Sequence, residues 1–245
     1  MTEPRSGETL DDLQNGYYLL QSEDGFRVGM DAVLLADYTE IRPEEKAMDL
    51  GCGNGILPLL LAARNPEIRM TGLELNADSA DLAQRNVICN HLEDRIQIEQ
   101  GDIREAVSRF GAASFDVLVS NPPYMILSHG KVSPNEQIAM ARHEVSCTFR
   151  DLAEAAARLL RDHGRLYLVH RPFRLAEILD TLRAYRLEPK RMRLVHPFAD
   201  REANLVLIEA LRGGNARITV EPPLIVYSEP GVYTEELRKI YRQDA

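Results

Sequence analysis

The sequence predicts an α/β fold, a mostly parallel sheet with helices on both faces, from three observations. Apolar runs of strand length alternate along the chain with longer segments whose apolar residues recur every three or four positions. Several of the strand-like runs, such as FDVLVS (115–120), are continuously apolar, as strands covered on both faces are. A glycine loop, DLGCGNG (49–55), joins the first core strand to the first core helix, as in the βα turns of nucleotide-binding sheets.

In chain order, an extension of about 45 residues (1–45) precedes the core strands and is expected to pack over the ligand site. Within it, YYLLQSEDGFRVG (17–29) reads as a hairpin turning at Asp24-Gly25, and Asp31 as the N-cap of a short helix, AVLLADY. The main domain, 46–245, then alternates strands and helices. Strands are expected at 46–51, 69–75, 96–102, 115–120, 165–170, 191–196 and 204–211. Helices are expected at 56–64, 77–90, 150–162 and 173–185, the last with its apolar stripe on Leu175, Ile178, Leu179 and Leu182. Residues 125–149 are polar and irregular, which in a compact domain reads as a functional loop. After the last strand, EPPLIVYSEPGVYTEELRKIY (221–241) reads as an extended tail closed by a short helix.

Composition narrows the class further. No apolar run approaches the length of a membrane span and the opening MTEPRSGETLDD is polar and acidic, so a cytoplasmic protein with no membrane partner is expected. Three cysteines, Cys52, Cys89 and Cys147, lie far apart with no CxxC pair, which suits a reducing compartment and no metal site. The net charge of −9 argues against nucleic acid, but its distribution is uneven. Residues 158–193 hold ten Lys or Arg against four Asp or Glu. Some of these cations read as the solvated faces of two helices, and a subset as phosphate-facing.

The glycine loop lets the backbone approach a ligand closely while the helix behind it offers free N–H groups. Alone it is a weak signal, since dinucleotide enzymes use the same device. Glu74 ends the second core strand, where a carboxylate can accept both ribose hydroxyls of an adenosine. Asp102 ends the third, where it can accept from an adenine amino group. Strand-end acids also serve as helix caps, but a glycine loop and two acids on consecutive strand ends point to an adenosine-bearing cofactor. The DxGxGxG spacing resembles the cofactor loop of class I S-adenosylmethionine-dependent methyltransferases more than the GxGxxG of nicotinamide enzymes. Cys52 reads as a small residue that fits the loop, not as a nucleophile.

NPPY (Asn121-Pro122-Pro123-Tyr124) follows the fourth core strand. It resembles the active-site motif of amino-group methyltransferases acting on adenine N6, guanine N2 or glutamine amides. A planar amino nitrogen shares its lone pair with its ring or carbonyl and is a poor nucleophile. The Asn121 side-chain oxygen and the Pro122 carbonyl can take its two N–H bonds and aim the lone pair at the methyl group. Proline has no N–H and a fixed φ, so it presents a rigid carbonyl. Tyr124 offers a face for stacking a planar substrate.

Stretches including FRVGMDAVLLA (26–36), SPNEQIAMARHE (133–144), LVHRPFRLAEIL (168–179) and LEPKRMRLVHP (187–197) resemble one family over nearly the whole chain. It is the family of bacterial tRNA (adenine-N6)-methyltransferases that modify the adenine next to the anticodon of a valine tRNA, in its Gram-positive form. That resemblance implies a Rossmann-like class I fold with seven strands, the last antiparallel. It implies S-adenosyl-L-methionine as cofactor, held by Met30, Asp31, Asp49, Gly51, Cys52, Gly53, Glu74, Leu75, Asp102, Ile103 and Asn121. It places Asn121, Pro122, Pro123 and Tyr124 at the target adenine, with tRNA as partner. Lys131, His143, Arg171 and His196 read as RNA contacts or as ordinary loop polarity. The same tetrapeptide occurs in protein glutamine-N5 methyltransferases acting on release factors and in rRNA base amino methyltransferases. The former usually carry a helical N-terminal domain, which this chain replaces with a short extension. The sequence assigns no oligomeric state.

Overall fold

The computed structural model describes residues 3–23, 29–123 and 147–241. Tyr124, Lys131 and His143 therefore lie outside the described residues, as does the expected turn at Asp24-Gly25. Two strands open the chain, β1 (Glu8–Asp12) and β2 (Tyr18–Ser22), followed by helix α1 (Met30–Tyr38). The core begins with β3 (Lys46–Leu50), α2 (Ile56–Arg64), β4 (Arg69–Glu74), α3 (Ala77–Cys89) and β5 (Ile96–Gln100). Helix α4 (Ala106–Phe110) and β6 (Phe115–Ser120) come next. After the undescribed loop follow α5 (Phe149–Leu159), β7 (Leu160–His170), α6 (Leu175–Ala184), β8 (Leu187–His196) and β9 (Leu205–Arg212). Short strands β10 (Thr219–Val220), β11 (Leu224–Ile225), β12 (Tyr227–Glu229) and β13 (Val232–Tyr233) lead to a last helix, α7 (Glu235–Ile240).

The main sheet runs β10-β8-β9-β7-β6-β3-β4-β5, with β11 also on β8. Its seven long strands match the sequence expectation, and β9, the last of them, is antiparallel to both neighbours while β3 to β7 are mutually parallel. β10, just before the expected tail, and β11, within it, each pair in parallel with β8 at the edge. Alternate residues of each strand feed opposite cores. Val117 and Val119 of β6 join Leu35, Leu59 and Leu61 on one face, while Leu118 joins Leu152, Leu159 and Ile178 on the other. From β3 the chain moves one way to β4 and β5, and later the other way to β6 and β7. The carboxyl ends of β3 and β6 thus flank a topological switch point, where ligands bind in sheets of this kind.

Tyr18–Ser22 pairs with the preceding strand Glu8–Asp12, Leu10 opposite Leu20, in a hairpin whose turn lies at 13–17. Two local expectations are corrected. Gly29, not Asp31, is the N-cap of α1; Asp31 sits in the first turn with its Oδ1 accepting from the Ala32 N–H at 2.9 Å. Helix α5 stops at Leu159 rather than 162, because Leu160 already pairs with Phe115 of β6. Its start is fixed by a reciprocal cap, in which Thr148 Oγ1 accepts from Asp151 N while Asp151 Oδ2 accepts from Thr148 N.

The cluster of cations in residues 158–193 is largely neutralised within the fold. Arg161 pairs with Asp116 at 2.9 Å, Arg174 with Glu177 at 2.7 Å, Arg191 with Glu209 at 2.8 Å and Arg193 with Glu236 at 2.6 Å. Arg165 and Arg183 have Glu45 and Glu188 as partners. Six of the ten thus have a carboxylate partner, Arg161 and Arg191 joining strand to strand, Arg183 helix to strand, Arg193 strand to the last helix, Arg165 strand to loop and Arg174 its own turn.

His170, the last residue of β7, is fully buried against the Phe149 ring at 6.1 Å, and its Nδ1 accepts from the Arg171 N–H at 2.7 Å. Burial, and then the nearby Arg174 cation, push its pKa down to about 4. The unfolded chain binds this proton from the usual pH of about 6.5 downward, and the folded chain only near pH 4. Stability is thus fully present above about 6.5 and falls between there and 4, by up to about 3 kcal/mol at 1.36 kcal/mol per unit. Urea unfolding at several pH values should show that slope, and His170→Gln should flatten it. An equal slope in the variant would remove His170 as its origin.

Candidate active site

The first core strand delivers Asp49 and the glycine loop to the switch point. Gly51, Gly53 and Gly55 all take positive φ, at 79°, 55° and 82°, a conformation that side chains with a Cβ resist. Gly55 caps α2, and a Cβ there would lie 3.2 Å from the Ala83 Cβ of α3. Pro58 is tolerated in the first turn of α2, where N–H groups have no partner within the helix. Gly51 and Cys52 both donate to the Leu73 carbonyl, at 2.8 and 3.0 Å, anchoring the loop to β4. Cys52 is buried, and burial pushes its thiol well above its ordinary range, which fits a packing role rather than a nucleophile. Gly72, passed over in the sequence, makes room for it: a Cβ on Gly72 would meet Cys52 Sγ at 2.8 Å.

Glu74, at the end of β4, is 5% exposed. Its Oε2 accepts from the Gly53 N–H at 2.9 Å and its Oε1 from the Asn76 N–H at 2.8 Å. The same carboxylate therefore shapes the loop and keeps lone pairs for ligand hydroxyls. Asp49 is 1% exposed, and neither carboxylate oxygen has a hydrogen-bond partner among the described residues. Burial, reinforced by the Glu74 charge, holds its pKa well above the usual carboxylate range. A buried acid left without a donor beside a loop of left-handed glycines is the feature a cationic ligand would satisfy. S-adenosylmethionine fits it, having an ammonium, a sulfonium and ribose hydroxyls.

Asp102 lies just past β5 and is the N-cap of a single 3-10 turn, Ile103–Glu105. Its Oδ1 accepts from the Arg104 N–H at 2.8 Å, and the Arg104 guanidinium clasps both oxygens. These bonds hold its pKa below the ordinary value. Of the two readings the sequence offered for Asp102, the cap is what the structure shows. Leu75 is 39% exposed next to Glu74, and Ile103 is half-buried beside Asp102. Met30 and Asp31 begin α1, Asp31 being buried.

Across the switch point, β6 ends in Ser120, and Asn121 and Pro122 follow half-buried with Pro123 exposed. Ser120 is fully buried, and its Oγ donates to the Leu50 carbonyl at 2.7 Å. That bond fixes the end of β6 to the end of β3, so Asn121-Pro122 and the glycine loop share one crevice. The sequence does not single out Ser120, whose role shows only in its bond to the Leu50 carbonyl. Arg171 lies two residues past the level of Asn121 on the neighbouring strand β7, its Nη1 donating to the Asn204 carbonyl at 2.9 Å. Phe173, also unremarked in the sequence, is 69% exposed between Arg171 and Arg174. His196 does not join this group. It ends β8, three strand spacings or about 14 Å from the β6 end, and its Nδ1 lies 2.7 Å from the Arg201 carbonyl oxygen.

The chain is similar to known proteins in sequence and fold. The model of the methyltransferase small domain family matches residues 22–185. A protein of Porphyromonas gingivalis named tRNA1(Val) (adenine(37)-N6)-methyltransferase is 33% identical over 225 residues, covering 88% of this chain and 87% of that protein. One of the same name from Aeromonas hydrophila is 30% identical over 210 residues, covering 85% and 86%. A crystal structure described as a predicted O-methyltransferase from Agrobacterium tumefaciens superposes with a TM-score of 0.72 at 24% identity, covering 88% of this chain and 97% of that one. Geranyl diphosphate C-methyltransferase of Streptomyces coelicolor shares the fold at a TM-score of 0.55 and 18% identity, covering 74% and 78%.

Proposed function

This chain belongs to the methyltransferase small domain family and, within it, to the tRNA1(Val) (adenine(37)-N6)-methyltransferases, and we propose that it methylates N6 of adenine 37 in a valine tRNA. The observation that supports the reading is the Ser120–Leu50 bond, which sets Asn121-Pro122-Pro123 beside the glycine loop and Asp49, a buried acid with no hydrogen-bond partner among the described residues. S-adenosylmethionine supplies a methyl group on a sulfonium, an excellent leaving group, so alignment is the main task left to the protein. Glu74 would accept from the ribose hydroxyls, Asp49 would face the cationic end, and Leu75 and Ile103 would border the adenine.

Asn121 Oδ1 and the Pro122 carbonyl would accept from the two N–H groups of the target amine and favour a pyramidal nitrogen whose lone pair is released from conjugation with the ring. As the nitrogen took the methyl group from the sulfonium, these oxygens would stabilise the positive charge developing on it. The proton then leaves to solvent. No side-chain nucleophile is required. A base in a single-stranded anticodon loop reaches the crevice at lower cost than one stacked in a duplex.

Incubating the protein and radiolabelled S-adenosylmethionine separately with unmodified tRNA and with a release factor tests the reading. Label in tRNA is expected, and label in the release factor instead would transfer the site to the glutamine chemistry. For RNA contact, Arg171 and the exposed Phe173 flank the crevice, one suited to phosphate and the other to stacking a neighbouring base. Arg171→Ala with Phe173→Ala should weaken tRNA binding about tenfold or more and flatten its salt dependence, with cofactor affinity unchanged. An unaltered affinity and salt slope would return both residues to ordinary surface.

A further inference from the structure

Helix α3 meets the N-terminal hairpin through two asparagine amides. Asn86 Oδ1 accepts from the Leu20 N–H at 2.6 Å and its Nδ2 donates back to the Leu20 carbonyl at 3.0 Å. Asn90 does the same to Tyr18, at 2.7 Å in both directions. Residues four apart on a helix rise about 6 Å, and residues two apart on a strand span about 6.6 Å. The two side-chain amides can therefore take the place of a neighbouring strand along the open edge of β2.

The second hydrogen of each amide separates the two residues. Asn90 spends it within α3, on the Asn86 carbonyl at 2.7 Å. Asn86 spends it on the carbonyl of Asn54 at 2.9 Å, between Gly53 and Gly55 of the glycine loop. Asn86 is fully buried, and Ala83, one turn earlier on the same face of α3, backs Gly55. One amide thus holds the hairpin with one hydrogen and the glycine loop with the other.

We propose that Asn86 is a positioning residue that couples cofactor occupancy of the glycine loop to docking of the N-terminal hairpin. The coupling rests on the reading that this loop holds S-adenosylmethionine. A ligand that fixes the Asn54 carbonyl fixes the Asn86 amide plane, and that plane sets the bonds to Leu20. By linkage, a docked hairpin tightens the cofactor by the same factor. The hairpin has further anchors, with Glu8 paired to Arg85 and Arg5 to Asp81 at 2.7 Å, so loss of Asn86 does not by itself detach it.

Calorimetry with S-adenosylhomocysteine, and hydrogen exchange at the Tyr18 amide with and without it, test the coupling. Asn86→Ala should raise the Kd about tenfold and abolish the extra protection that ligand gives Tyr18 in the wild type. Asn90→Ala, which also removes hairpin bonds but none to the loop, should keep the Kd within about twofold. If Asn86→Ala does not fold, Asn86→Asp keeps the acceptor for Leu20 and loses both donated bonds, and the same rise in Kd is expected. Equal Kd shifts at the two asparagines, or an Asn86 variant binding as the wild type does, would overturn the coupling alone. A wild-type protein that bound no S-adenosylhomocysteine would overturn the cofactor reading and the coupling with it.

Discussion

Asn121→Ala should lower turnover on tRNA by about 100-fold or more while the Kd for S-adenosylmethionine stays within about twofold. The residue follows the last position of β6 and is half-buried at the crevice, whereas the strand itself is held by Ser120 and its sheet partners. Trimming the side chain therefore leaves the scaffold intact. What is lost is an acceptor that matters most as the amino nitrogen gives up its conjugation. A contact made mainly in the transition state appears in kcat rather than KM. Asn121→Asp retains an acceptor but adds charge and loses the amide donor, so partial activity is expected where Ala leaves almost none. Single-turnover rates for Asn121→Ala equal to the wild type would reduce Asn121-Pro122-Pro123 to a turn.

Glu74→Ala is the second large effect, and it falls on the cofactor. The wild-type carboxylate accepts from the Gly53 and Asn76 N–H groups, so its removal withdraws an acceptor from the ribose and also releases the glycine loop. Binding of S-adenosylmethionine should weaken by about 1–3 kcal/mol, roughly 5- to 150-fold. Glu74→Gln, which keeps one acceptor oxygen, should recover part of that. Calorimetry giving the wild-type affinity for Glu74→Ala would take Glu74 out of the site.

The elements that depend on local pattern were legible in the sequence, and those that depend on a distant partner were not. Helix α2 begins and ends where its apolar periodicity does, between Gly55 and Asn65. The long strands could be read because burial on both faces leaves an uninterrupted apolar run. Helix α5 was drawn too long because Leu160 fits a helical stripe equally well, and only its pairing with Phe115 claims it for the sheet. The pairing of β2 with Glu8–Asp12 was not read from the sequence, because it shows only in three dimensions.

At the site, Asp49, Glu74 and the glycines announced themselves by chemistry at strand ends. Ser120 and Asn86 did not, since a serine in a strand and an asparagine in a helix carry no signal until their backbone partners are known. The ion pairs of the cations in residues 158–193 were not legible for the same reason: their carboxylate partners, such as Asp116, Glu45 and Glu236, are remote in sequence.

The central claim is that the crevice between β3 and β6 methylates an adenine amino group in tRNA. Nucleoside mass spectrometry of an unmodified valine tRNA, digested after incubation with the protein and S-adenosylmethionine, tests it most directly. The account predicts N6-methyladenosine, mapped by oligonucleotide fragments to position 37, the position in the names of the relatives. A methyl group on guanine N2, or an unmodified tRNA together with a methylated glutamine in a release factor, would contradict it.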